Sequence, residues 1–139
     1  MAKTFTAPFS QTPQTAFAVT TSAVSSESGT TPGNTVELLT AGSDGCLVTS
    51  ITFLPRSGSI ATSNIRLWLS KDSGSNKYLI DSAQAASQSV STSTATTRGS
   101  FEAITEANPL RLAAGDKLYV GNSVAHSNGL VFLAEFMDF

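Results

Sequence analysis

The chain has 139 residues, of which 13% are charged and 40% hydrophobic, and a formal net charge of −2. Its length is that of one domain, and its weak acidity argues against a nucleic-acid binder, which holds phosphates on a basic surface. A single cysteine, Cys46, rules out an internal disulfide framework and a Cys-rich zinc site, and a single histidine, His126, rules out a His-based metal cluster.

The sequence carries 21 Ser and 18 Thr. Those residues disfavour helix interiors and suit strands and turns. The N-terminus, Met1-Ala2-Lys3-Thr4-Phe5-Thr6, has no apolar run of signal-peptide length after its one positive charge. Apolar stretches elsewhere fall far short of the roughly 20 residues that span a bilayer. Synthesis in the cytoplasm is expected, with Cys46 reduced and no membrane partner.

Residues 1–15 set Phe5, Pro8, Phe9 and Pro13 among Thr and Gln, which predicts an extended N-terminal arm. Such a segment reads either as a frayed terminus or, because Phe5 and Phe9 are costly to leave in water, as an arm that docks on a neighbour. Residues 16–139 read as one domain, with no internal repeat or linker. A first strand is predicted over 16–24, a polar loop over 25–34 and a second strand over 35–41. Gly42-Ser43-Asp44-Gly45 is a turn. In the next strand, 46–54, Leu47, Ile51 and Phe53 share one face and Ser50 and Thr52 the other, with Thr49 a polar break on the core face.

Residues 55–63 are turn-rich. Over 64–70, Ile65, Leu67 and Leu69 alternate with Arg66, Trp68 and Ser70. Lys71 to Asn76 is a hairpin loop, and 77–84 gives the return strand. Residues 85–100 hold little bulk beyond Val90 and predict an exposed loop or edge strand, with a short helix at 83–90 the other option. A strand over 101–106 has Glu102 and Glu106 outward. Leu110-Arg111-Leu112 leads into the turn Ala113 to Asp116, and 117–125 puts Leu118, Val120 and Val124 on one face. After the Ser127-Asn128-Gly129 turn, 130–139 is the last strand. Short strands at regular spacing with turns between them define an all-β protein. A single-domain antiparallel β-sandwich, jelly-roll-like, is expected.

Chemistry finds little purchase. His126 reads as a surface residue, and with so many Ser about, a Ser–His pair is uninformative. Cys46 reads as a small buried hydrophobe. No Gly-x-Ser-x-Gly elbow occurs. The carboxylates Asp72, Asp81, Glu102, Glu106, Asp116 and Asp138 form no calcium loop. The Gly42–Gly45 segment lacks the Lys of a phosphate loop. No catalytic residue, cofactor or metal is expected, and the chain is not read as an enzyme.

Two features point to protein contact. The last strand is apolar on both faces: Leu130, Phe132, Ala134 and Phe136 on one, Val131, Leu133, Met137 and Phe139 on the other. A half-buried strand should have one polar face, so a second layer or another chain must cover it. Arg66 and Trp68 lie opposite a core face and are residue types favoured as interface anchors; the other reading shifts the phase and puts Trp68 in the core.

The runs Leu39 to Ile51, Ile65-Arg-Leu-Trp-Leu69, Tyr78-Leu-Ile-Asp-Ser82 and Pro109 to Val120, with the acidic-aromatic end Phe136-Met-Asp-Phe139, resemble small virion proteins of tailed bacteriophages. The resemblance spans roughly residues 36–139. It implies a β-sandwich that decorates or cements a capsid, with no catalytic residues to carry over. The expected partners are the major capsid protein, bound on the outer face of its lattice, and further copies of the chain, most plausibly as a trimer. The virion surface is the expected location. Phe5, Phe9, Arg66, Trp68, Phe136 and Phe139 are the expected interface residues. The alternative is a tail, fibre or adhesion component that binds a host glycan, with Trp68 or Tyr119 stacking on sugar rings.

Overall fold

The computed structural model describes residues 12–139. Phe5 and Phe9 lie outside the described residues. The strands are Thr12–Thr20 (β1), Val36–Thr40 (β2), Cys46–Pro55 (β3), Ser59–Ile60 (β4), Ser63–Ser70 (β5), Tyr78–Ala85 (β6), Gln88–Ser89 (β7), Gly99–Ser100 (β8), Leu110–Leu112 (β9), Lys117–Asn122 (β10) and Leu130–Asp138 (β11).

One sheet runs β1-β11-β3-β8, with β9 also paired to β3, and the other runs β2-β10-β5-β6. Strands β4 and β7 form a small separate ladder. Every strand pair is antiparallel. Late strands insert between early ones: β11 lies between β1 and β3, and β10 between β2 and β5. This interleaving across two facing sheets is the jelly-roll form of the antiparallel sandwich.

The inner faces meet in one core. Val48, Ile51, Phe53, Leu130, Phe132 and Ala134 come from the first sheet, and Leu39, Ile65, Leu67, Leu118 and Val120 from the second. Phe53 stands edge-on to Phe101, with centroids 5.9 Å apart. Its centroid is also 5.9 Å from that of Phe132. Such ring pairs add about 0.5–1.5 kcal/mol to the area they bury. The turn predicted at Gly42 to Gly45 forms, with Gly45 at φ 84°, a conformation open to glycine at little cost.

Three ladders shift register, between β3 and β11, β5 and β6, and β2 and β10. The first corrects the sequence phase. Glu135 pairs with Ser50 and Phe136 with Val48, so Thr49 is the extra residue of a bulge. One extra residue flips every side chain beyond it to the other face. Cys46 and Val48 therefore join Ile51 and Phe53 inside, and Leu47 faces outward opposite Met137.

Further boundaries differ. Strand β1 begins at Thr12 rather than 16 and ends at Thr20 rather than 24. Pro13 is tolerated because β1 is an edge strand. The segment expected as a strand over 101–106 is a run of turns; Phe101 caps the core from it. No helix forms at 83–90, whose residues supply the end of β6 and all of β7. Strand β10 stops at Asn122, which occupies an inner position, and Val124 is exposed instead of buried.

Candidate functional site

The outer faces of the two sheets carry the candidate contacts, and the chain treats them differently. On the second sheet, Trp68 pairs with Tyr119 and Arg66 with Gly121, opposite in phase to Leu67 and Ile65, as alternation predicts. Yet Trp68 is 0% exposed. The loop after β1 folds across this face. The Val24 amide donates to the Asn122 carbonyl at 2.9 Å, and the Lys77 backbone amide donates to the Thr30 carbonyl at 2.7 Å. Glu27 meets Arg66 at 2.7 Å. A Cβ on Gly121 would stand 2.3 Å from Val24 Cγ2 and 3.2 Å from Trp68 Cζ3, so only glycine lets loop and indole close on the strand. Trp68 is thus corrected from a surface anchor to the centre of a second, smaller core. Arg66 is half-buried beneath the same loop, holding Glu27.

Tyr119, the other aromatic considered for sugar stacking, has Lys77 Nζ 4.5 Å from its ring centroid. That ammonium occupies a face a sugar would need.

Phe136 and Phe139 do not form one patch. Phe136 lies on the inner side and packs against the core, partly buried. Phe139 sits under Arg111, whose guanidinium carbon is 5.6 Å from the ring centroid, and its amide donates to the Gly45 carbonyl. Arg111 pairs with the outward-facing Leu47, which puts this contact on the outer side of the first sheet.

The outer face of that sheet holds what the sequence reasoning missed. Phe17 on β1 pairs with Leu133, and Leu133 with Thr52; Val19 pairs with Val131, and Val131 with Leu54. Phe17 is 73% exposed. Val19, Val131, Leu133 and Leu54 are only half-buried. The signal was present in the two-sided apolar pattern of β11. The partner strand supplying Phe17 was not connected to it, because β1 and β11 lie at opposite ends of the chain. A second apolar step, Tyr78-Leu79-Ile80, is exposed along the edge strand β6.

The reactive groups lie inside. His126 is 4% exposed, which corrects its reading as a surface residue. Its Nε2 is 3.1 Å from the buried Ser63 hydroxyl, and its amide donates to the Thr21 carbonyl. Burial holds the imidazole below its usual pKa, so the ring is neutral at neutral pH. Cys46 is fully buried, as expected of a small hydrophobe, and its thiol is pushed up to about 11, chiefly by burial, then by Asp138 and Asp116. It stays protonated and inert. Among the described residues, no three His, Cys, Asp or Glu side chains converge as a metal site.

No family model matches the chain, and no curated protein matches it. A chain in the structure of the Gx strain of infectious bursal disease virus is similar over 92% of this chain and 37% of its own length, at 13% identity and a TM-score of 0.30. This chain therefore spans well under two thirds of that chain, and a likeness at that score carries no weight for function.

Proposed function

We propose that this protein is a structural virion component that decorates and stabilises the capsid of a tailed bacteriophage. It binds the outer face of the major capsid protein lattice and associates with its own copies. The observation that carries this reading is the apolar outer face of β1, β11 and β3, where the exposed Phe17 stands among the half-buried Val19, Val131, Leu133 and Leu54 and no other described segment crosses it. A partly open apolar patch with an exposed aromatic at its edge is the kind of surface that marks a site of association. The likeness of residues 36–139 to small phage virion proteins supports the shell as its setting.

The mechanism is mass action. A protein that binds only the assembled, expanded shell lowers the free energy of that state and resists its opening. Rigid sheets suit the task, since the contact face is held by ladders rather than loops. The glycan-binding alternative loses its aromatic platforms, because Trp68 is buried and Lys77 covers Tyr119.

Two experiments test the proposal. Immunogold electron microscopy of intact particles should spread label evenly over heads; label confined to tails, or none on particles, overturns it. Deleting residues 1–11, which leaves β1 whole, should weaken binding of the purified protein to expanded shells if Phe5 and Phe9 dock there. Undiminished binding removes the arm from the contact.

A further inference from the structure

Phe17 has a match elsewhere on the same molecule. At the end of the sandwich where β3 and β6 run out lies a cleft of about 140 Å³. The buried core residues Phe53, Ile60 and Leu130 form its floor, and the exposed Gln84, Ala86 and Arg98 form its rim. An enclosed cavity of roughly 150 Å³ lined by Leu, Ile and Phe takes one benzene ring, so the volume of the cleft matches one aromatic side chain. The polar groups at its mouth are partly engaged: the Gln88 amide accepts from the Thr97 amide at 2.9 Å and donates to the Thr97 carbonyl at 3.0 Å. The floor therefore suits an apolar ring, and the rim keeps Gln84 and Arg98 as polar groups.

Position and charge say whose ring it is. Phe17 stands on β1, at one end of the strand order, and Arg98 and Gly99 stand beside β3 at the other. A knob and a hole on opposite edges cannot meet within one copy. They meet between copies placed head to tail, and such heterologous contacts give a ring where the rotation between copies closes and an open filament where it does not. The charges agree. Glu135 is exposed on the strand beside Phe17, in the next outward row of the sheet. Arg98 is exposed at the rim of the cleft, where its Nη1 donates to Thr52 Oγ1 at 2.8 Å.

We infer that Phe17 of one copy seats in the cleft beside Phe53 of the next, with Glu135 of the first facing Arg98 of the second, so that the chain assembles head to tail. This deepens the self-association in the functional proposal, and it assigns Phe17 to a neighbouring copy while leaving Val131, Leu133 and Leu54 for the shell.

Sedimentation velocity over a concentration series of the full chain tests it. The unaltered protein should self-associate. Phe17→Ser, at an exposed position, and Ala86→Trp, which fills the cleft from its exposed rim, should each weaken association at least about tenfold with unchanged circular dichroism. Mixed together, the two variants should form pairs and nothing larger, because one complementary knob and hole remain. Arg98→Glu and Glu135→Arg should each weaken association, and mixing or combining them should restore it. A wild-type chain that stays monomeric, a Phe17→Ser variant that associates like wild type, or a charge swap that restores nothing overturns the inference. Loss of association on deleting residues 1–11 alone, with Phe17→Ser unaffected, makes the arm the occupant and overturns it too. Shell binding is read separately. Assemblies that form but do not bind shells refute the shell reading and leave the head-to-tail contact standing.

Discussion

The two sheets present the same kind of outer strand to very different fates. On β5 the outward side chains Arg66 and Trp68 are roofed by the chain's own loop, through Val24 and Glu27. On β1 and β11 the outward Phe17, Val131 and Leu133 receive no such roof from the described residues, and Phe17 stands largely open among them. An aromatic residue on the outer face of a strand is therefore not a contact site by residue type alone. What separates an internal anchor from an external one is whether a distant segment of the same chain returns to cover it.

Matched truncations would break this comparison most sharply. Trp68→Ala should cost about 3–5 kcal/mol in urea unfolding, the range for emptying a buried aromatic site. Phe17→Ala should change the stability of the monomer by no more than about 0.5 kcal/mol, as at exposed sites. Comparable losses for both would mean the two faces are equally buried.

The roof itself can be lifted. Gly121→Val forces a side chain into Val24 and Trp68, and overpacking of this kind costs about 1–3 kcal/mol. The Val24 amide, bonded to the Asn122 carbonyl, should then exchange its hydrogen faster, while amides of β11 keep their protection. Uniform loss of protection would show that the loop is not a separable cover.

A smaller effect sits at the junction below the roof, where His126 follows β10. Its folded pKa lies below the usual value because burial disfavours the imidazolium. The unfolded chain therefore binds the proton more readily, and stability present above about pH 6.5 is lost as pH falls toward the folded value. The urea midpoint should drop through this window, and His126→Gln should flatten the slope. An unchanged slope would assign the pH dependence to other groups. Glu37 contributes at lower pH, since its pKa is lowered by the Thr40 hydroxyl and by Lys117, and its contribution disappears as pH falls below about 4.5.

The smallest effect belongs to the ion pair at the edge of the roof. Glu27 and Arg66 are each a quarter exposed, so screening leaves about 0.2–1 kcal/mol in a double-mutant cycle. A larger coupling would make the pair a principal fastening of the loop.

Local pattern carried much of the fold. The alternation in 64–70 and 130–139, the turn at Gly42 to Gly45 and the hairpin loop at Lys71 to Asn76 all read correctly, because each depends on residues a few positions apart. Leu47 read wrongly because the Thr49 bulge is defined by pairing with β11, more than eighty residues away in sequence. The candidate site was legible only in part. The two-sided β11 was visible, but its exposed companion Phe17 gains meaning only once β1 lies alongside it.

By itself, then, the sequence determined an all-β chain with polar turns, one inert buried thiol and a surplus of apolar strand faces. These follow from composition and from period-two alternation, which are local. Tertiary structure alone decided which surplus face is covered. Trp68 is buried because residues 21–34 return across β5, and Phe17 is open because no described segment crosses β1. Coverage is a contact between segments far apart in the chain, set by the crossing of strands between two sheets, and no window of neighbouring residues encodes it.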